Sequence, residues 1–543
     1  MIRRIATVGG LTLVSRLSGF IRDVVMAAVL GAGPMADAFF VAFRLPNHFR
    51  AIFAEGAFAA AFVPAYARTL EQAGLPAAKL FADQIAAALI VINLAMLALA
   101  LLFTPEVVGL LAPGLADDPI RFDLAVALTR ITSPYLALVS LETLFAGILN
   151  ANNRFATAAG APILLNVSII ATLLLAPFFP DAGHAAAWGV LVAGIFIVAV
   201  VGGDAEMHGI GIRLRMPRLD KPTRRFLKAL GPAIIGAGGV QLALFADTLI
   251  ASYLPTGALS ALYYADRINQ LPIGVVGIAV GTVLLPEMSR RLAAGDVKGA
   301  ASAQARGIQL ALLLTIPCAA SSIAIPDLIM RALFARGAFT AADAAAAGAT
   351  LAAYAFGLLP FVLLRSFTSP FYARGDTATP VKAALLAASI NILLKVLLMG
   401  HLAQVGLAAA TSVGAWINLS LLAFFARRQG FAVSGAAIGK PVMKLLAAGA
   451  LLAAALTAGY YALQHALAHL THFRDETTLG ILFMLGAVVY AGAVLLLLGV
   501  PWLKSLLREV TIVADKEEPA ILEPSDPTDD SAVLPDNDPP PKA

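Results

Sequence analysis

The sequence predicts an all-α, polytopic membrane protein. Its fourteen transmembrane helices form two six-helix lobes in parallel repeat around a central cavity, with two extra helices at the C-terminal end. Three observations predict this. The 543 residues are 60% hydrophobic and 13% charged, with a mean hydropathy of +0.85, outside the range of water-soluble chains. Apolar runs of the roughly 20 residues that a helical span needs recur along the whole chain. Two pairs of segments resemble each other at one common offset near 222.

Taken in order, the predicted spans cover 7–30, 35–62, 80–104, 121–150, 156–178, 184–204, 225–254, 258–289, 300–324, 343–373, 378–400, 403–427, 441–466 and 477–500. Arg3 and Arg4 precede the first apolar run as in a signal peptide, but Arg16 and Arg22 break that run. No small-residue cleavage site follows it, so it reads as a retained first helix. Lys and Arg gather on one side, at Arg68, Lys79, Arg154, Arg290 and Arg427 among others, while the opposite side receives Arg121, Arg331, Arg336 and Arg474. The positive-inside rule then puts both termini in the cytoplasm.

The repeat sets the domain organisation. GAFAAAFVPAYAR, ending at Arg68, resembles GIAVGTVLLPEMSR, ending at Arg290, and FFVAFRLP from Phe39 resembles YYADRINQLP from Tyr263. A second pair joins the stretch from Tyr135 to that from Tyr372, with Thr157 over Thr379. Six is even, so both halves keep one orientation, an architecture that places a substrate site between them. The expected divisions are an N-lobe at 1–205, a basic cytoplasmic linker at 206–224, a C-lobe at 225–430, two added helices at 431–503, and a disordered acidic cytoplasmic tail at 504–543. The tail carries the acidic, proline-containing composition that buries no core.

The chemistry concentrates in residues 12–68. Arg16, Arg22, Asp23, Asp37, Arg44, Arg50 and Glu55 stand there in membrane-grade apolar sequence. Each charge at a helix centre costs about 2.5 to 3.5 kcal/mol on insertion scales. At 100° per residue, Arg16 and Asp23 share a helical face, with Arg22 beside it. Asp266 and Arg267 come from the other half. Two readings remain open: the charges pair off and lock helices together, or the arginines line an anion site whose carboxylates orient them. Buried ion pairs are often no better than apolar replacements, and the arginine fork suits phosphate oxygens, so the second reading is preferred.

Other functions are disfavoured by what the chain lacks. Cys318 is the single cysteine, so no internal disulfide forms and a cysteine metal site is unexpected. No Walker A sequence is present. The basic balance, with a pI near 9.3, lies where membrane orientation requires it and implies no nucleic acid partner. His465, His469 and His472 share a face without acidic or cysteine companions, so no metal cofactor is expected there. An enzyme acting on polyprenyl phosphates would need clustered acids or histidines at a cytoplasmic edge, and none appears. Asp247 and Asp376 are single carboxylates in or near second-half spans, suited either to a helix-helix hydrogen bond or to a cation.

SRLSGFIRD at 15–23, ADAFFVAFRLPN at 36–47, FRAIFAEGAF at 49–58, YYADR at 263–267 and GTVLLP at 281–286 resemble the MurJ (MviN) lipid II flippases, within the superfamily that also contains multidrug and oligosaccharide exporters. The resemblance covers roughly residues 1 to 500. It implies a non-enzymatic exporter of undecaprenyl-diphosphate-linked peptidoglycan precursor, lipid II, across the bacterial inner membrane, working by alternating access. It further implies that Arg16, Arg22, Arg50 and Arg267 hold substrate, with Asp23, Asp37, Glu55 and Asp266 supporting them. The lipid tail would lie in a groove at 441–500. Some members bind sodium between the seventh, eleventh and twelfth helices, where Asp247 and Asp376 are the nearest candidates for Na+ or another ion. Membrane lipids and cell-wall synthesis or division proteins are the other implied partners. A flippase for a different polyprenyl-linked glycan and a drug or cation antiporter of the same superfamily are the competing functions.

Overall fold

A computed structural model describes residues 2–49, 57–213, 215, 221–433, 435–470 and 473–506. Among these the regular structure is helical, with no strand. In order the helices are α1 Ile2–Leu30, α2 Pro34–Phe49, α3 Ala57–Leu102, α4 Thr104–Leu111, α5 Pro119–Thr132, α6 Pro134–Ala151, α7 Ala156–Leu174 and α8 Ala182–Met207. There follow α9 Lys221–Ser252, α10 Ala258–Pro272, α11 Ile278–Ala293, α12 Val297–Ala324, α13 Pro326–Phe334, α14 Ala341–Tyr372, α15 Ala378–Arg428, α16 Gly435–Ala466 and α17 Arg474–Leu498. Nine described helical stretches are long and apolar enough to cross a membrane.

Helix breaks fall where local chemistry puts them. α3 turns at Gly74, whose φ of 77° favours glycine. α10 passes into α11 through a π-turn at Ile273–Gly277, next to Pro272. α5 begins at Pro119 behind Asp118, whose carboxylate accepts the backbone N–H of Arg121 at 3.3 Å. The span expected over 121–150 is present as the 33-residue stretch Pro119–Ala151, with a turn at Ser133 before Pro134. Of the helix expected over 35–62, Pro34–Phe49 and the residues from Ala57 are helical, and residues 50–56 lie outside the described residues.

Element boundaries recur along the chain at nearly one spacing. α1 ends at Leu30 and α9 at Ser252; α3 ends at Leu102 and α12 at Ala324; α5 begins at Pro119 and α14 at Ala341; α7 begins at Ala156 and α15 at Ala378. Left-handed turn residues pair the same way: Gly74 with Gly295, Asn153 with Gly375, and Gly209 with Gly430. Their hydrogen bonds repeat as well, Arg154 N to Leu149 O matching Asp376 N to Phe371 O, both 2.9 Å.

Lipid tails are as apolar as leucine, so helices inside a bilayer associate through close packing and hydrogen bonds. Gly189 in α8 meets α7 so closely that a Cβ would stand 2.3 Å from Thr172 Oγ1. Gly357 in α14 does the same with Ser412 in α15, whose hydroxyl donates to Ala353 O at 2.6 Å. An aromatic cluster of Phe39, Phe40, Phe43, Tyr263, Tyr264, Phe334 and Phe339 locks α2, α10 and α13 together.

The two halves of the chain meet tightly at the C-terminal end of α1. Ala338 N donates to Ala28 O at 2.7 Å. A Cβ on Gly31 would stand 2.6 Å from Ala338 O, and one on Gly114 2.5 Å from Tyr253 N. In the middle of α1, Leu13, Val14 and Leu17 are exposed.

Candidate functional site

α1, α7 and α10 converge on a buried network of charge. Gly19 in α1 leaves room for Asn166 of α7, whose amide lies 3.4 Å from the position a Cβ would take. Asn166 Nδ2 donates to Ser15 O at 3.1 Å and Ser18 Oγ at 2.9 Å, which fixes its carbonyl oxygen toward Arg22 Nη1 at 3.0 Å. Arg22 also donates to Asp23 Oδ1 from Nε at 3.1 Å and from Nη2 at 2.7 Å. Tyr263 of α10 closes the ring: its hydroxyl donates to Asp23 Oδ1 at 3.1 Å and accepts from Arg22 Nη2 at 3.3 Å. Arg267 Nε lies 3.6 Å from Asp23 Oδ2, and its guanidinium sits 4.5 Å over the Tyr263 ring, a cation–π contact. Tyr263 is held in turn by stacking on Phe40 at 4.0 Å.

Two arginines thus flank one aspartate, and the cluster carries a net positive charge. Arg22 is 8% exposed and its fork is largely spent on protein partners. The Arg267 side chain is partly exposed while its Nε is buried, and Arg16 is exposed where it passes Gly274 of the π-turn. An anion entering between the halves would meet Arg16 and Arg267 before Arg22.

The remaining predicted residues lie elsewhere. Asp37 is fully buried and faces away from that network. It accepts Gly257 N at 2.7 Å, Ser260 N at 3.0 Å and Ser260 Oγ at 2.7 Å, and it stands 3.4 Å from Arg121 Nη2. It caps α10 and ties it to α2 and α5. Arg121, read as a charge at an outer helix end, is 4% exposed and also donates to Leu254 O at 3.2 Å. Asp266 accepts from Gln270 Nε2 on its own helix, and Arg44 reaches Thr248 Oγ1 at 3.4 Å. Arg50 and Glu55 lie outside the described residues.

The two cation candidates do not converge. Lys395 of α15 puts its ammonium 2.5 Å from Asp247 Oδ1. Asp376 caps α15, accepting Thr379 N at 2.9 Å, and Gln429 Nε2 reaches it at 3.4 Å. Bonds from Thr379, and secondarily from Gln429, hold its carboxyl below the ordinary carboxylate range. A carboxylate already neutralised by an ammonium and another spent on a helix cap do not make the sodium site that the resemblance implied. Among the described residues no group of three His, Cys, Asp or Glu side chains is placed to hold a metal.

Sequence reasoning missed Asn166, Tyr263, Arg121 and Lys395. Lys395 carried a readable signal, as an ionisable residue in an apolar span demands a partner. Asn166 carried none, because an asparagine in a membrane helix has many roles.

The lipid II flippase MurJ family model matches residues 26–500. A probable lipid II flippase MurJ of Rhizobium meliloti (strain 1021) is 43% identical over 461 residues, which are 84% of this chain and 86% of that protein. The lipid II flippase MurJ of Burkholderia cenocepacia is 35% identical over 438 residues, 79% and 84% of the two chains. Among solved structures, a lipid II flippase MurJ in an inward closed conformation aligns with a TM-score of 0.74 at 24% identity, over 93% of this chain and 99% of that one. An inward-facing multidrug transporter of the MATE family aligns with a TM-score of 0.59 at 14% identity, over 76% and 94%. The fold is therefore shared across that superfamily, and the sequence decides within it: this chain belongs to the lipid II flippase MurJ family.

Proposed function

We propose that this protein carries lipid II from the cytoplasmic to the outer leaflet of the bacterial inner membrane by alternating access. The observation that carries the reading is the cationic cluster of Arg22, Asp23, Tyr263 and Arg267 at the junction of the two halves, in a chain of the lipid II flippase family. In this reading fourteen spans form an N-lobe at 1–205 and a C-lobe at 225–430, joined by the basic linker at 206–224. The recurrence of helix ends about 222 residues apart supports two equivalent halves. Helices at 431–503 offer the groove for the lipid tail, and both termini face the cytoplasm.

Arg16 and Arg267 take the diphosphate first, as the less buried cations, and Arg22 joins once the phosphate oxygens compete for its fork. Arg50, Asp23, Glu55 and Asp266 complete or orient this set. Asp37 acts at a distance, on the close contact between the halves. The membrane potential, negative inside, favours outward movement of the anion. At about 2.3 kcal/mol per charge per 100 mV, two charges across roughly 150 mV gain about 7 kcal/mol.

The test is depletion of the protein in cells followed by assay of the lipid-linked precursors. Lipid II is expected to accumulate on the cytoplasmic side, and re-expression of wild type should clear it. Expression of the Arg267→Ala variant, inserted at normal level, should not. Accumulation of a different polyprenyl-linked glycan would overturn the substrate, and full rescue by Arg267→Ala would overturn the role of the arginine.

A further inference from the structure

The Asp247–Lys395 contact is an ion pair outside the Arg22–Asp23 network, with the lysine buried and the Asp247 side chain 36% exposed. Lys395 is 3% exposed, and its stem runs from α15 to place Nζ 2.5 Å from Asp247 Oδ1 on α9. One full turn before Lys395 on the same helix, the side-chain oxygen of Asn391 is buried without a hydrogen-bond partner. It shares a helical face with the lysine, since four residues make about one turn. A carboxylate and, one turn along α15 from its partner, an unpartnered amide oxygen are oxygen donors of the kind a hard cation takes. In this chain a covalently attached ammonium stands among them.

We propose that Lys395 is a built-in cation: its ammonium occupies on Asp247 the place an alkali metal ion would take, and the protein works without a bound sodium ion. A second cation there would meet the like charge of the Lys395 ammonium a few ångströms away, on a carboxylate that the ammonium already neutralises. The ammonium cannot dissociate into either compartment, so this pair clamps α9 to α15 throughout the cycle and carries no ion down a gradient.

The experiment reads thermal unfolding of the purified, full-length protein in detergent, so it does not depend on the identity of the transported lipid. Sodium chloride is titrated against choline chloride at constant ionic strength, with potassium chloride as the selectivity control. For wild type, the unfolding temperature is expected to be the same in sodium and in choline. A saturable, sodium-specific rise would overturn the proposal. Lys395→Ala is expected to lower the unfolding temperature in choline and to recover part of the loss in sodium, with saturation. A loss that sodium leaves unchanged would mean the lysine is only a helix clamp and would equally overturn it. Should Lys395→Ala fail to fold, Lys395→Gln is measured the same way. The double variant Asp247→Asn with Lys395→Gln, lacking both charges, is expected to be insensitive to sodium; sensitivity there would place any cation elsewhere and sink the assignment.

Discussion

At the scale of single residues, the chain solves the cost of membrane charge by sharing donors and acceptors. Asp23 accepts from both nitrogens of Arg22 and from Tyr263, and Asn166 takes the remaining branch of the fork. Removing one partner of such a pair leaves an uncompensated buried charge, which costs about 3 to 5 kcal/mol. Asp23→Asn is therefore predicted to lower unfolding stability by that order, and Asp23→Asn combined with Arg22→Met to restore most of it. Denaturation in detergent checks both, and a double variant no more stable than the single one would refute the pairing. Arg22→Lys keeps the charge but loses the fork, so flipping should fall while the protein still inserts. The sequence exposed these charges because they stand out from apolar neighbours. It hid Asn166 and Tyr263, since residues 144 and 241 positions from Arg22 become its partners only when helices pack.

At the scale of elements, the ends of helices carry the contacts that tie distant elements together. Asp37 is the acceptor for the first turn of α10 and the counter-charge of Arg121, so one side chain connects α2, α5 and α10. Asp37→Asn keeps the shape and removes the charge. It should loosen this end and raise the labelling rate of a cysteine placed at Ala338, in a Cys318→Ser background; an unchanged rate would rule out the tie. Asp376 behaves as a cap of α15 in the aqueous loop after α14, with its carboxyl held below the ordinary range by Thr379. A carboxylate depressed in the folded state stabilises above its unfolded pKa and loses that contribution as pH falls through the folded value. The stability difference between wild type and Asp376→Asn should then be constant near neutrality and shrink only as pH falls below the ordinary carboxylate value of about 4. Breaks at Gly74 and Pro134 were readable in kind, because glycine and proline punctuate helices locally. The role of Asp37 was not, since a cap that reaches 220 residues along the chain has no local pattern.

At the scale of the whole molecule, the halves touch closely where α1 ends, through Gly31, Ala338, Gly114 and Tyr253, while the middle of α1 exposes Leu13, Val14 and Leu17. The proposed alternating access needs that contact to close and to open. A Cβ on Gly31 would lie 2.6 Å from Ala338 O, at a φ of 68° that favours glycine. Gly31→Ala, inserted at normal level, is therefore expected to hold the contact apart and reduce flipping; wild-type flipping by Gly31→Ala would exclude a required closure at this end. The sequence by itself determined the membrane class, the repeat near 222 residues and the family, because hydropathy, helix-breaking residues and short motifs are local properties written in order along the chain. Tertiary structure alone decided which charges meet: Arg22 with Asp23 and Tyr263, Asp37 with Arg121, Asp247 with Lys395. An ionisable group inside a membrane must find a partner, but the partner is chosen by distance after packing, and no spacing in the sequence encodes that distance.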